Sequence, residues 1–273
     1  MWRSEERTMP ARPGAKRMGF GRRAARMGGA IALAAAVFWS AVPAAAAGAD
    51  KRDTAGQSEP AANPLLMPQA DVVIDIGHGG IDGGTSKGDL LEKDLNLEMA
   101  RKLAEELSRR KISFALTRTG DYAPSEDNTW LRISSRHIRD LAQRQLIIRE
   151  LRPRIVISLH VNWSRDEGAR GPGVLHAGDP PSDALAKLLL GTLGRASGKS
   201  AAPTAKRTFY LLKRANCATV IVETGFISNP KDRKTLTSSR GQRKIASAIA
   251  EAVQSYLVGF PADAQSRGGK KKK

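Results

Sequence analysis

VVIDIGHGGIDGGTSKGDLLE, Val72 to Glu92, decides how this chain is read. An apolar run, Val72–Ile76, ends at Gly77-His78, and a loop holding five glycines between positions 79 and 88 then leads to Glu92. The run reads as a strand, and glycines let a backbone fold back tightly, so Glu92 is expected to return beside His78.

Outward from that stretch, short apolar runs alternate with longer amphipathic ones. Asp94–Arg110 places Leu95, Met99, Leu103 and Leu107 on one helical face, and Ile112–Thr117 reads as the next strand. Leu131–Leu151 reads as a long basic helix, and Ile155–Leu159 as a strand running straight into His160. Val174–Ala177, Phe209–Leu212 and Thr219–Val222 are further strand candidates, with Asp183–Gly194 and Gln242–Tyr256 as helices. Strand and helix in alternation imply an α/β fold: a single domain with a mostly parallel twisted sheet and helices on both faces. The domain is expected over residues 71–260, long enough to bury a proper core.

In such a sheet, chemistry gathers at the carboxyl ends of the strands. The polar residues placed there are His78, His160 and Glu223, and the glycine loop adds Glu92. Two histidines and a carboxylate are a common ligand set for hydrolytic zinc, with the fourth position left for water. His78, Glu92 and His160 are therefore the expected zinc ligands, and Glu223 the expected general base and acid. A ligating histidine needs an acceptor for its other ring nitrogen, and Asp75 and Asp82 are candidates. A single histidine at a strand end is more often a hydrogen-bonded structural residue. Here two of only four histidines end core strands whose rim also receives a glutamate, which moves the balance toward a site. His137 and His176 read as structural or surface residues. A phosphate cradle is disfavoured, because GHGGIDGG has neither the G-x-G-x-x-G spacing nor a Lys-Ser/Thr ending.

The ends of the chain suggest export. Residues 1–47 hold eight of the 45 Lys/Arg and two of the 27 Asp/Glu, followed within the segment by the uncharged run Met27–Ala41 and by Ala45-Ala46-Ala47. That pattern is a signal peptide, with a membrane anchor over residues 27–46 as the competing reading. Residues 48–70 read as a linker and residues 261–273 as a solvated basic tail. Beyond position 47 the chain keeps a net charge of about +12, which suits an anionic polymer outside the cell; no stacking aromatics or recognition motif point to nucleic acid. Cys217, the single cysteine, reads as core.

The blocks VVIDIGHGGIDGG, LLEKDLNLEMARKL, ISLHVN and VIVETGFISNP resemble, in order, the four signature blocks of the zinc-dependent N-acetylmuramoyl-L-alanine amidases of the type 3 family. The resemblance implies that His78, Glu92 and His160 bind zinc and Glu223 is catalytic, on a peptidoglycan substrate. Tyr122–Arg139, which intervenes between LTRTGD and DLAQR, is similar to the extension of the germination-specific amidases that act on spore cortex. No separate wall-binding domain is visible, so control is expected from export, substrate form or a partner such as an accessory lipoprotein or membrane protein. One departure stands out: the family's first block usually has proline where this chain has Ile76, and that loss is expected to loosen the turn. Other readings are a general wall hydrolase, a zinc peptidase cutting stem peptides, a non-catalytic wall-binding module and a basic adhesion protein.

Overall fold

The computed structural model describes residues 70–126, 128, 131–199 and 201–261. The expected signal or anchor, nearly all of the linker and nearly all of the basic tail lie outside them. In chain order the elements are β1 (Val72–Ile76), β2 (Ser86–Lys87), β3 (Leu90–Leu91), α1 (Glu92–Arg109), β4 (Phe114–Leu116) and α2 (Arg136–Leu151). They are followed by β5 (Ile155–Asn162), β6 (Gly173–His176), α3 (Pro180–Ser197), β7 (Thr204–Ala205), α4 (Tyr210–Lys213), β8 (Ala218–Phe226), α5 (Pro230–Thr237) and α6 (Ser239–Gly259).

Six strands form one sheet in the order β4-β1-β5-β8-β6-β7. The pairs β4–β1, β1–β5 and β5–β8 are parallel, and β6 runs antiparallel to β8 at the far side. The chain leaves β1 toward β4 and then crosses back to β5 on the other flank. The carboxyl ends of β1 and β5 therefore border the point where the winding reverses, the place where open α/β sheets form a crevice.

Strand parity assigns the two faces. Val72, Ile74 and Ile76, with Ile155, Ile157, Leu159, Val220 and Val222, share one core with α1, α3 and α6. Val73 and Val156 instead meet Ile148 of α2 and Leu211 of α4 in a smaller cluster. The first face thus carries most of the buried apolar surface, and the second holds few apolar groups before it turns polar.

The elements depart from the sequence expectations at identifiable places. Phe209–Leu212 is not a strand: Phe209 is the N-cap of the short helix α4, and its apolar residues pack beneath α2 rather than in the sheet. The basic helix begins at Arg136, capped by Ser135, and not at Leu131. A further helix, α5, starts at Asn229-Pro230, where the asparagine side chain caps two backbone amides and proline occupies the first turn. Among the described residues no helix is long and apolar enough to cross a membrane.

Ile249 lies fully buried on α6 within the larger core. Replacing it by alanine is expected to cost about 2–5 kcal/mol, read from urea unfolding, with the cleft side of the sheet unchanged.

Candidate metal centre and active-site cleft

The site is built where β1 ends. His78 has φ of 62°, a left-handed backbone unusual for a residue with a side chain. Two buried arginines hold this turn. Arg144 of α2 donates to the Asp75 carboxylate at 2.8 Å, to the Ile76 carbonyl at 2.5 Å and to the His78 carbonyl at 2.8 Å. Arg118 reaches the Ile76 and Gly77 carbonyls from the other side, at 3.3 and 3.2 Å, and also the Lys93 carbonyl at 2.7 Å. Where the motif usually has proline, the Ile76 N–H, which proline would lack, donates to Thr117 Oγ1 at 3.0 Å.

Glu92 returns as expected, through the hairpin β2–β3, and stands at the first position of α1. Its carboxylate, 4% exposed as a residue, accepts from the backbone N–H of Thr85 at 2.8 Å and of Val161 at 3.0 Å. The helix N-terminus adds a favourable field for the charge. His78 Nε2 lies 3.2 Å from one carboxylate oxygen and His160 Nδ1 3.0 Å from the other. His78 Nδ1 is 2.9 Å from Asp82 Oδ2, so a proton on Nδ1 leaves Nε2 free to ligate. Asp75, the other candidate acceptor, is engaged instead by Arg144, Ser158 and Thr117.

One ligand atom each from His78, Glu92 and His160 lies within 4.8 Å of the other two. Two neutral imidazoles and a carboxylate suit zinc or a similar divalent ion, so the donor set fits a metal. Without one, the Glu92 carboxylate stays charged and favours a proton on the His78 imidazole. Burial opposes charge on His78, but hydrogen bonds to Asp82 and Glu92 outweigh it and raise the imidazole to about 9. Burial likewise pushes Glu92 up, and the bonds to His160 and His78 overcome it, holding the carboxyl far below its usual range.

Glu223 sits on β8 opposite His160 in register, on the same sheet face. Its Oε2 is buried with no hydrogen-bond partner among the described residues. Burial pushes its carboxyl up to about 7; the His160 charge pulls it down and the Glu92 charge adds to the rise. A buried carboxyl oxygen left without a partner, beside three convergent donors, is the arrangement expected of a group awaiting a water or substrate proton.

His78, Asp82, His160 and Glu223 floor a cleft of about 270 Å³, walled by His137, Asp140 and Leu141 from α2, by Tyr210 from α4 and by the α4 N-cap Phe209. His137 is thus exposed but stands on the cleft wall. His176 is buried and structural, its Nε2 3.8 Å from Asp183. Sequence reasoning missed Gly77: a Cβ there would lie 2.4 Å from the His160 ring, so only glycine leaves room for that imidazole. It also missed Arg118 and Arg144, which nothing distinguishes in sequence from the other arginines of this basic chain.

Residues 72–255 match the sequence model described as N-acetylmuramoyl-L-alanine amidase. The chain belongs to that family. This amidase is 30% identical over 200 residues to the germination-specific N-acetylmuramoyl-L-alanine amidase of Bacillus subtilis, covering 71% of this chain and 84% of the relative. It is 28% identical over 249 residues to the amidase AmiA of Escherichia coli, covering 74% and 80%. Among solved structures it resembles the CwlD amidase of Clostridioides difficile, determined in complex with the GerS lipoprotein. The TM-score is 0.64 at 30% identity, over 69% of this chain and 98% of that one. The mostly parallel α/β sheet is the fold of these amidases, which are hydrolases.

Removing the Arg144 guanidinium would strand the buried Asp75 charge. Arg144→Met is expected to cost about 3–5 kcal/mol, measured by denaturant unfolding, and Arg144→Lys less. Glu223 predicts a pH effect of definite sign. Its folded-state value near 7 exceeds the ordinary 4.5, so ionising it opposes folding; stability is full below 4.5 and is lost as pH rises through 7. Metal-free Glu223→Gln should therefore melt at a higher temperature than the wild type at pH 8, with the gap closing toward pH 4.5.

Proposed function

We propose that this amidase hydrolyses the amide between the lactyl group of N-acetylmuramic acid and L-alanine in peptidoglycan, releasing the stem peptide from the glycan. His78, Glu92 and His160 hold a zinc ion in this reading, and Glu223 is the catalytic acid and base. The observation that carries it is the buried, unpartnered Glu223 Oε2 on the strand next to His160, facing the same cleft as the three clustered donors. When bound, zinc supplies Lewis acidity, lowering the pKa of a water and polarising the amide carbonyl.

The chain's own groups do the rest. Glu223 accepts the proton of the attacking water and returns it to the departing nitrogen of L-alanine, and its raised pKa suits a group that must both take and give. Asp82 keeps the His78 ring oriented through Nδ1. Arg144 and Arg118 keep the His78 turn in its left-handed form, and Gly77 leaves space for the His160 ring.

For the biological setting we favour spore cortex. The Bacillus subtilis relative is named for germination, the Clostridioides difficile neighbour is also about 30% identical, and the intervening segment 122–139 is of the type expected for that branch. An accessory lipoprotein is a reasonable partner, since the CwlD amidase was solved with one. Export through residues 1–47, cleaved or retained as an anchor, places the enzyme with its polymer. General wall hydrolysis is the second reading, supported by 27% identity to a protein of Staphylococcus saprophyticus named a probable cell wall amidase.

Mass analysis of purified wall and cortex digested by the protein should show free stem peptides and unsubstituted glycan; shortened peptides still attached to glycan would instead indicate a peptidase. Glu223→Gln is expected to retain its metal and lose turnover. His78→Ala and His160→Ala should lose the metal, and Arg144→Lys should bind it about 10–100-fold more weakly, both read by chelator competition.

A further inference from the structure

Behind the sheet from the cleft, a second hollow of about 410 Å³ opens between the end of α3, α5 and the start of α6. Arg170, Lys231, Lys234, Arg240 and Lys244 line it, all of them exposed. Among the described residues none of the five forms an ion pair, whereas on α3 Lys187 pairs with Asp183 at 2.6 Å and Arg195 with Glu251 at 2.7 Å. The groove's one carboxylate, Asp232, is already engaged, accepting from the Gly171 N–H at 2.7 Å and the Phe226 N–H at 2.9 Å. Five cations around one concavity, offset by the single Asp232 carboxylate, repel one another, and an anionic ligand relieves that repulsion.

The groove adjoins the active site through the chain. Gly171 and Pro172, on its lip, lead directly into Gly173, which pairs with Glu223 in the sheet; Thr224, also on its wall, follows Glu223. Thr224 Oγ1 in turn donates to the His160 carbonyl at 3.0 Å. Adjacent positions of β8 thus serve the two concavities, Glu223 lining the cleft and Thr224 the basic groove. The shape favours a chain over a membrane, because a hollow set between three helices and rimmed by cations meets a thread more readily than a plane.

We propose that this groove is a second binding site for the substrate polymer, taking the carboxylates of stem peptides carried along the same glycan. The proposal rests on the amidase reading and concerns how polymeric substrate is retained, not how the bond is cut.

The test compares two triple variants of the full chain with equal net charge: Lys231→Glu, Lys234→Glu, Lys244→Glu in the groove, and Arg101→Glu, Arg149→Glu, Lys187→Glu on other surfaces. Binding to purified sacculi is measured by sedimentation in the Glu223→Gln background, which leaves the polymer uncut, across a range of salt. Three lost charge contacts should weaken the groove variant by about tenfold and flatten its salt dependence, while the control triple binds like the parent. Sacculi whose carboxyls have been amidated should bind the parent as weakly as untreated sacculi bind the groove variant. With Glu223 intact, both triples should cleave a small soluble muramoyl-peptide at the wild-type rate.

Equal weakening of the two triples, or undiminished binding by the groove variant, would overturn the proposal. So would a groove variant that loses binding to phosphatidylglycerol vesicles while still binding sacculi normally, since the groove would then belong to the membrane. If the wild type fails to cleave the soluble muramoyl-peptide, the amidase reading fails while the sacculus measurement still reports on the groove.

Discussion

The buried ion pair of Arg144 and Asp75 joins fold to chemistry. A charge on the inner face of β1 would be intolerable alone, and α2 supplies its partner from across the thin side of the sheet, with both side chains at most 2% exposed. Burial pushes Asp75 toward its neutral form, but the Arg144 charge and the Ser158 hydrogen bond prevail and keep it ionised. The same guanidinium then has N–H groups left over, and it places them on the carbonyls of Ile76 and His78. The turn that carries the first histidine is thus fixed by the interaction that docks α2. A planar fork of donors makes this possible where an ammonium would serve one acceptor at a time.

Along that face the sheet changes character toward its carboxyl end. Val73 and Val156 are apolar, Asp75 and Ser158 one step on are polar and bonded to each other, and Glu223 and His160 one step further stand side by side in register. The alternation of a strand gives each face every second residue, so the reactive groups inherit their position from a register set by the apolar core behind them. Slipping any of these strands by one residue would send its reactive group into the apolar core.

Much of this was legible in the sequence. Apolar runs halting at His78, His160 and Glu223, with a glycine-rich loop of the right length before Glu92, pointed to the four residues that the fold brings together. Helix ends were legible only where caps were, as at Ser135 and Asn229 in retrospect. Phe209–Leu212 misled because four apolar residues suit a strand or a short buried helix equally, and only packing under α2 decides. Arg144 was hidden for a different reason. Its neighbours on α2 are also basic, and the property that sets it apart, a buried anion waiting on another element, is not encoded within its own segment.

The two faces of the sheet differ in how much they can change. Most of the buried apolar mass lies with α1, α3 and α6, whereas the cleft is walled by α2 and α4. Divergence of that wall leaves the larger core untouched. Relatives with the same scaffold can therefore drift toward different wall architectures without repacking the larger core, provided the Arg144–Asp75 pair that docks α2 is kept.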